Sequence, residues 1–155
     1  MNTQVTGTAH IVAAPASIAP AAPPHTYLGM ARLLLQGVRP LCAPTPPCTI
    51  PLAFLSAQVA ECALKASLSR SGDDRRLKDK GLRHNLEALW ELAHSEGLAV
   101  NAVPPSWVQR LSHLHNTPYF LRYSTGVHGL VTPGPEPMCT DLEELVAVVE
   151  RQVLS

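Results

Sequence analysis

Residues 50–97 constrain the fold more than any other part of the chain. An apolar segment, IPLAFLSAQVAECALKASLSR, leads through a short basic turn into GLRHNLEALWELAHSEGL. In the first segment Leu52, Leu55, Val59, Ala63 and Ala66 recur at helical spacing, while Ala57, Ala60 and Cys62 are small enough to let a neighbouring helix approach closely. Packing on more than one side is therefore predicted. Ser71-Gly72 stops this helix. Leu82, Leu86, Leu89, Trp90 and Ala93 then define the apolar side of a second helix that ends at Gly97 and leaves Glu87, Glu91 and His94 exposed. Together they predict a helical hairpin with an E-x-x-x-K pair, Glu61 and Lys65, midway along its first arm.

The flanking segments extend the helical pattern. Residues 1–25 are rich in Ala, Pro, Thr and Ser and lack large aromatics, so they cannot bury enough apolar surface to offset their ordering entropy and read as a disordered tail. From Tyr27 a first helix carries Leu28, Ala31, Leu34, Leu35 and Val38 on one side, and Pro40 forbids much continuation. CAPTPPC, residues 42–48, is a proline-stiffened connector. PPSWVQRLSHLH starts another helix with Trp107, Leu111 and Leu114 aligned, and Thr140 with Glu143 spells a T-x-x-E capping box ahead of a last helix bearing Leu142, Leu145, Val146, Val149 and Val153. Between them, residues 116–137 are too broken by Gly and Pro for a helix and longer than an ordinary connector, which marks a functional loop. The fold class that follows is all-α: an up-and-down bundle of about five helices in a single domain over residues 26–155, behind the tail.

Composition sets the limits of function. The chain has 155 residues, 46% of them hydrophobic, enough for one core but not for two full domains. Its formal charge is zero and only 15% of residues are charged, so any attraction to nucleic acid or an anionic membrane must come from a local patch. Cys42, Cys48, Cys62 and Cys139 lack zinc-site spacing, and two of them fall in predicted helices where a small apolar side chain suits, so a reducing compartment is the default. The first basic residue is Arg32 and prolines interrupt the N-terminal apolar stretches, which predicts a cytoplasmic protein without a membrane partner.

Several groups are candidates for chemistry. In the basic turn Arg70, Arg75, Arg76, Lys78, Lys80 and Arg83 stand against Asp73, Asp74 and Asp79, an excess of three positive charges that serves either as a solvated connector or as a phosphate-contacting patch. Glu61 and Lys65 form a favourable i,i+4 pair that is either a surface salt bridge or, given its apolar neighbours, a buried organiser of a polar site. His113 and His115 project about 200° apart on a helix, and no acidic or cysteine cluster accompanies them, so neither a metal nor another cofactor is expected. Two Arg/His pairs have the residue types for metal-free RNA cleavage, which needs an acid, a base and a cation: Arg110 with His115, and Arg122 with His128.

The order of YLGMARLLLQG, AFLSAQVAECALKASL, GLRHNLEALWELA and YFLRYS resembles the HEPN domain. AECALKA (60–66) is similar to the family's E-x-x-L-K-A segment, RHNLEAL (83–89) to its H-D-L-x-x-L segment, and Arg122-Tyr123 to a late R-Y segment. The resemblance implies an all-helical module of prokaryotic toxins, antiviral proteins and nucleotidyltransferase-associated partners. It implies a homodimer that engages RNA or nucleotide, or a nucleotidyltransferase or antitoxin partner, with Glu61, Lys65, Arg83, His84 and Tyr123 as binding residues. Catalytic members of the family are metal-independent endoribonucleases with Arg, four to six residues, then His. Here that pattern points to Arg122 and His128, because Arg122 coincides with the R-Y segment.

Overall fold

The computed structural model describes residues 22–43, 45–123 and 129–155. It is an all-helical bundle with no strand among those residues, and its consecutive helices α3 and α4 run in the same direction rather than alternating. The elements are α1 (His25–Leu35), a single turn α2 (Val38–Cys42), α3 (Thr49–Leu68), α4 (Leu86–Ser95), α5 (Ser106–His115) and α6 (Met138–Leu154), with a 3-10 turn at Arg75–Lys78. Residues 1–21 of the expected tail lie outside the described residues. Its last four residues do not behave as tail: the N–H of Thr26 bonds to the carbonyl of Ala22 (3.1 Å), and α1 begins at His25.

α3 is the axis of the bundle and contacts every other helix. Its alanines at 53, 57, 60, 63 and 66 are all buried, which lets neighbours close in from several directions. α1 runs antiparallel to α3: Tyr27 stands by Lys65, while a Cβ at Gly37 would meet a Leu55 methyl at 2.7 Å. α1 also runs antiparallel to α6: its Arg32 pairs with Glu150, and Arg39 of the following α2 pairs with Glu143, nearer the start of α6. Leu142, Leu145, Val146 and Val149 of α6 complete the core on that side, and Leu86, Leu89 and Trp90 of α4 with Trp107, Val108 and Leu111 of α5 complete the other.

The hairpin expected from residues 50–97 takes a different path. α4 packs on α3, but His84 at its start stands opposite Glu61, in the middle of α3, and Glu96 at its end is reached by Arg70, just past the C-terminal end of α3, and by Arg76 of the 3-10 turn, which also bonds the carbonyl of Leu68. The connection over 69–85 is long enough to return the chain to mid-helix because Leu77 anchors it in the core. α4 then stops as its glycine predicts: Gly97 adopts φ +91°, its N–H bonds to the carbonyl of His94 (3.0 Å), and that of Leu98 bonds to Ala93 (2.9 Å).

Three further expectations change. Pro40 does not end the first helix; α1 already ends at Leu35, and Pro40 sits in the first turn of α2, where its missing N–H costs no hydrogen bond. The T-x-x-E capping box does not form. α6 begins two residues before Thr140, whose hydroxyl and N–H meet Glu136 (2.9 and 3.4 Å), while Arg39 draws Glu143 away at 2.7 Å. Cys42 and Cys139 form a disulfide that ties α2 to α6 across 97 positions, a pairing that their treatment as isolated small residues does not anticipate.

Candidate functional site

Glu61 and Lys65 lie one turn apart on α3, and both are buried. Lys65 Nζ donates to Glu61 Oε1 at 2.6 Å. The other carboxylate oxygen, Oε2, meets His84 Nδ1 at 3.0 Å and His115 Nε2 at 2.6 Å. One carboxylate thus joins α3, the residue before the N-cap of α4 and the last residue of α5. A helix as apolar as α3 buries a charged pair at least cost when the charges meet and further partners surround them; here three hydrogen bonds reach the carboxylate, while the ammonium makes one, to Glu61. The network continues past Lys65, whose ammonium lies 5.9 Å from the Tyr27 ring; the Tyr27 hydroxyl donates to Asp74 at 2.9 Å.

Local structure fixes the two imidazoles. The Asn85 side chain caps α4 by accepting from the N–H of Ala88 (3.2 Å) and also accepts from the Ser112 hydroxyl of α5 (3.1 Å). Ser112 in turn accepts from the N–H of Glu87 at 3.2 Å. The start of α4 is thereby tied to α5, three residues from His115. The His115 side chain is fully enclosed and its Nδ1 has no partner among the described residues, whereas the His84 side chain is 16% exposed. Of the two imidazoles, His84 is therefore the one that reaches solvent.

Burial pushes the Glu61 carboxyl up, but hydrogen bonds from His115, His84 and Lys65 outweigh it and hold the pKa at about 2. Burial also lowers the pKa of His84, more than Glu61 raises it. Near neutral pH the arrangement is an ionised carboxylate facing a neutral His84.

At the solvent edge His84 meets the edge of the Tyr119 ring, with centroids 5.6 Å apart. Tyr119 is held at φ +66°, a left-handed conformation that ring-bearing residues rarely adopt, and its hydroxyl accepts from Arg83 Nη2 at 3.3 Å. The Arg122 guanidinium lies 5.8 Å from the centre of the same ring. Hydrogen bonding from Thr117 and from Arg83 lowers the Tyr119 pKa.

The expected site residues divide accordingly. Glu61, Lys65 and His84 come together, with Arg83 and Arg122 at the rim. Tyr123 does not join them; it is 62% exposed, and Tyr119 takes the aromatic position instead. His128 lies outside the described residues. The alternative pair is split, since Arg110 is exposed while His115 is enclosed. Three of the six cations of the basic turn are ion-paired: Arg75 with Asp73 (2.7 Å), Arg76 with Glu96 (2.5 Å) and Lys78 with Asp74 (2.9 Å). His113 and His115 do not converge, but a ligand-type cluster absent from the linear sequence does form: one atom each of Glu61, His84 and His115 lie within 4.8 Å of one another. A cleft of about 360 Å³ between Trp90, Asn101, Asp141 and Leu145 shares no residue with this site. No family model matches this chain, and neither a curated protein nor a solved structure does.

Proposed function

We propose that the chain is a HEPN-like helical module that engages RNA or nucleotide at the edge formed by Arg83, His84, Tyr119 and Arg122. The observation that carries this reading is the Tyr119 ring beside His84, with the Arg83 guanidinium at its hydroxyl and the Arg122 guanidinium 5.8 Å from its centre. A guanidinium fork matches phosphate oxygens, and an aromatic face stacks an unpaired base. In a chain of zero net charge a ligand of this kind requires such a local patch. By the same resemblance we assign it a homodimeric state and a defence or toxin-antitoxin context with a nucleotidyltransferase or antitoxin partner; the cytoplasmic setting expected from the sequence requires the Cys42–Cys139 disulfide to persist against a reducing thiol pool.

Photo-crosslinking to short single-stranded RNA carrying a thiolated uracil tests the reading. Adducts should map to residues 119–123; adducts confined to residues 70–80, or none, would overturn it.

A second reading, metal-independent endoribonuclease, is favoured by the 3.0 Å contact between Glu61 and His84 Nδ1. A carboxylate that holds one ring nitrogen as the donor leaves the other as a general base for a 2′-hydroxyl, with Arg122 stabilising the phosphate charge. RNA cleavage in EDTA that disappears in His84→Ala is the expected result under this reading.

A further inference from the structure

The geometry points to a transition-metal site at Glu61, His84 and His115, suited to Zn²⁺. It shares His84 with the proposed RNA-binding edge but depends on no RNA contact, because it rests on these three side chains alone.

Three features carry it. First, the three donors converge from separate elements, α3, the entry to α4 and the end of α5, with both imidazole nitrogens directed at the same oxygen, Glu61 Oε2. For a cation to enter, the facing N–H protons leave and the donors part from the 2.6 and 3.0 Å of these hydrogen bonds to the roughly 3.3 Å between ligands of a tetrahedral ion, a small movement for atoms that already lie within 4.8 Å of one another. Second, Lys65 occupies only Oε1, at 2.6 Å. It leaves Oε2 for single-oxygen ligation and acts as the outer partner that fixes the carboxylate, as ligating carboxylates generally require. Third, two imidazoles and one carboxylate are the donor set of open zinc sites, which keep a further position for water or substrate. His84, the one ligand with an exposed edge, provides the way in.

Protons balance without an external acid or base. Ligation takes each ring in its singly protonated form with the proton on the far nitrogen: Nε2 of His84, and Nδ1 of His115, a buried atom with no partner among the described residues, where the proton is an unpaired donor that costs affinity. This also separates the site from metal-free cleavage. With Zn²⁺ on Nδ1, the far nitrogen of His84 carries a proton and can no longer act as a base.

The test is titration of the metal-stripped full-length protein with Zn²⁺, followed by calorimetry and by side-chain ¹⁵N resonances of the histidines. Binding at one ion per chain is expected, with the ring signals of His84 and His115 moving and those of His113 and His94 staying in place. His84→Ala and His115→Ala should each weaken binding by more than about a hundredfold, beyond the cost of losing an outer-shell partner, and His113→Ala should leave it unchanged. Three results would overturn the site: no saturable binding, binding that survives both substitutions, or loss caused by His113→Ala alone. The wild-type resonances decide the question even if a variant fails to fold. RNA crosslinking at residues 119–123 can succeed or fail independently of all these outcomes.

Discussion

Glu61 Oε2 and His115 Nε2 lie 2.6 Å apart although 54 positions separate them in the chain, and neither side chain is more than 8% exposed. The contact makes α3 and α5 parts of one polar network inside an otherwise apolar bundle, so its disruption should be felt in both stability and function.

Glu61→Gln removes the charge that faces Lys65 and leaves the ammonium buried without a counter-ion. A loss of about 3–5 kcal/mol is expected by chemical denaturation. The double variant Glu61→Gln, Lys65→Met should lose distinctly less, because no charge is then stranded and the amide oxygen still faces His84 and His115. Equal losses in the two variants would mean that the ion pair does not set the cost.

Gly97→Ala places a Cβ at φ +91° in the turn that ends α4. The expected loss is about 1 kcal/mol. Gly29→Ala is the matched control, because no atom lies within 4 Å of a Cβ built there and its φ is not in the left-handed range.

Tyr27 should titrate late. Burial first, and then its hydrogen bond to Asp74, push its pKa up to about 12 from an ordinary 10.0. A group whose folded pKa is raised adds stability that is complete below its unfolded pKa and disappears as pH rises through the folded value. Stability should therefore fall between about pH 10 and pH 12, and Tyr27→Phe should flatten that limb. Ultraviolet titration should find Tyr119 ionising before Tyr27; the reverse order would refute the assigned environments.

The helices were legible in the residues because apolar spacing and stop signals are local. Gly97 ends α4 through its own φ, and Glu61 with Lys65 could be paired from spacing alone. The features that escaped depend on partners distant in sequence. Arg39 reaches across from α2 to take Glu143, which no inspection of T-x-x-E could foresee. The return of the chain along 69–85 rests on the burial of Leu77, a lone apolar residue in a charged run. The meeting of His84 with His115 requires α4 and α5 to be docked through Asn85 and Ser112, a tertiary contact. Tyr119 replaced Tyr123 because the turn after α5 holds it in a left-handed conformation. The signal for it was the NTPY run directly after His115, where Asn and Pro mark a sharp turn.

The most direct measurement of the central claim is the affinity for single-stranded RNA as a function of salt, by fluorescence anisotropy in EDTA, for wild type, Arg83→Ala, Arg122→Ala and Arg75→Ala. The account predicts that the first two substitutions each weaken binding and reduce the magnitude of the salt slope by about 0.7, the value for one phosphate contact on a single strand, while Arg75→Ala, already paired with Asp73, matches wild type. Binding that depends on Arg75 but not on Arg83 or Arg122, or no binding at low salt, would contradict it.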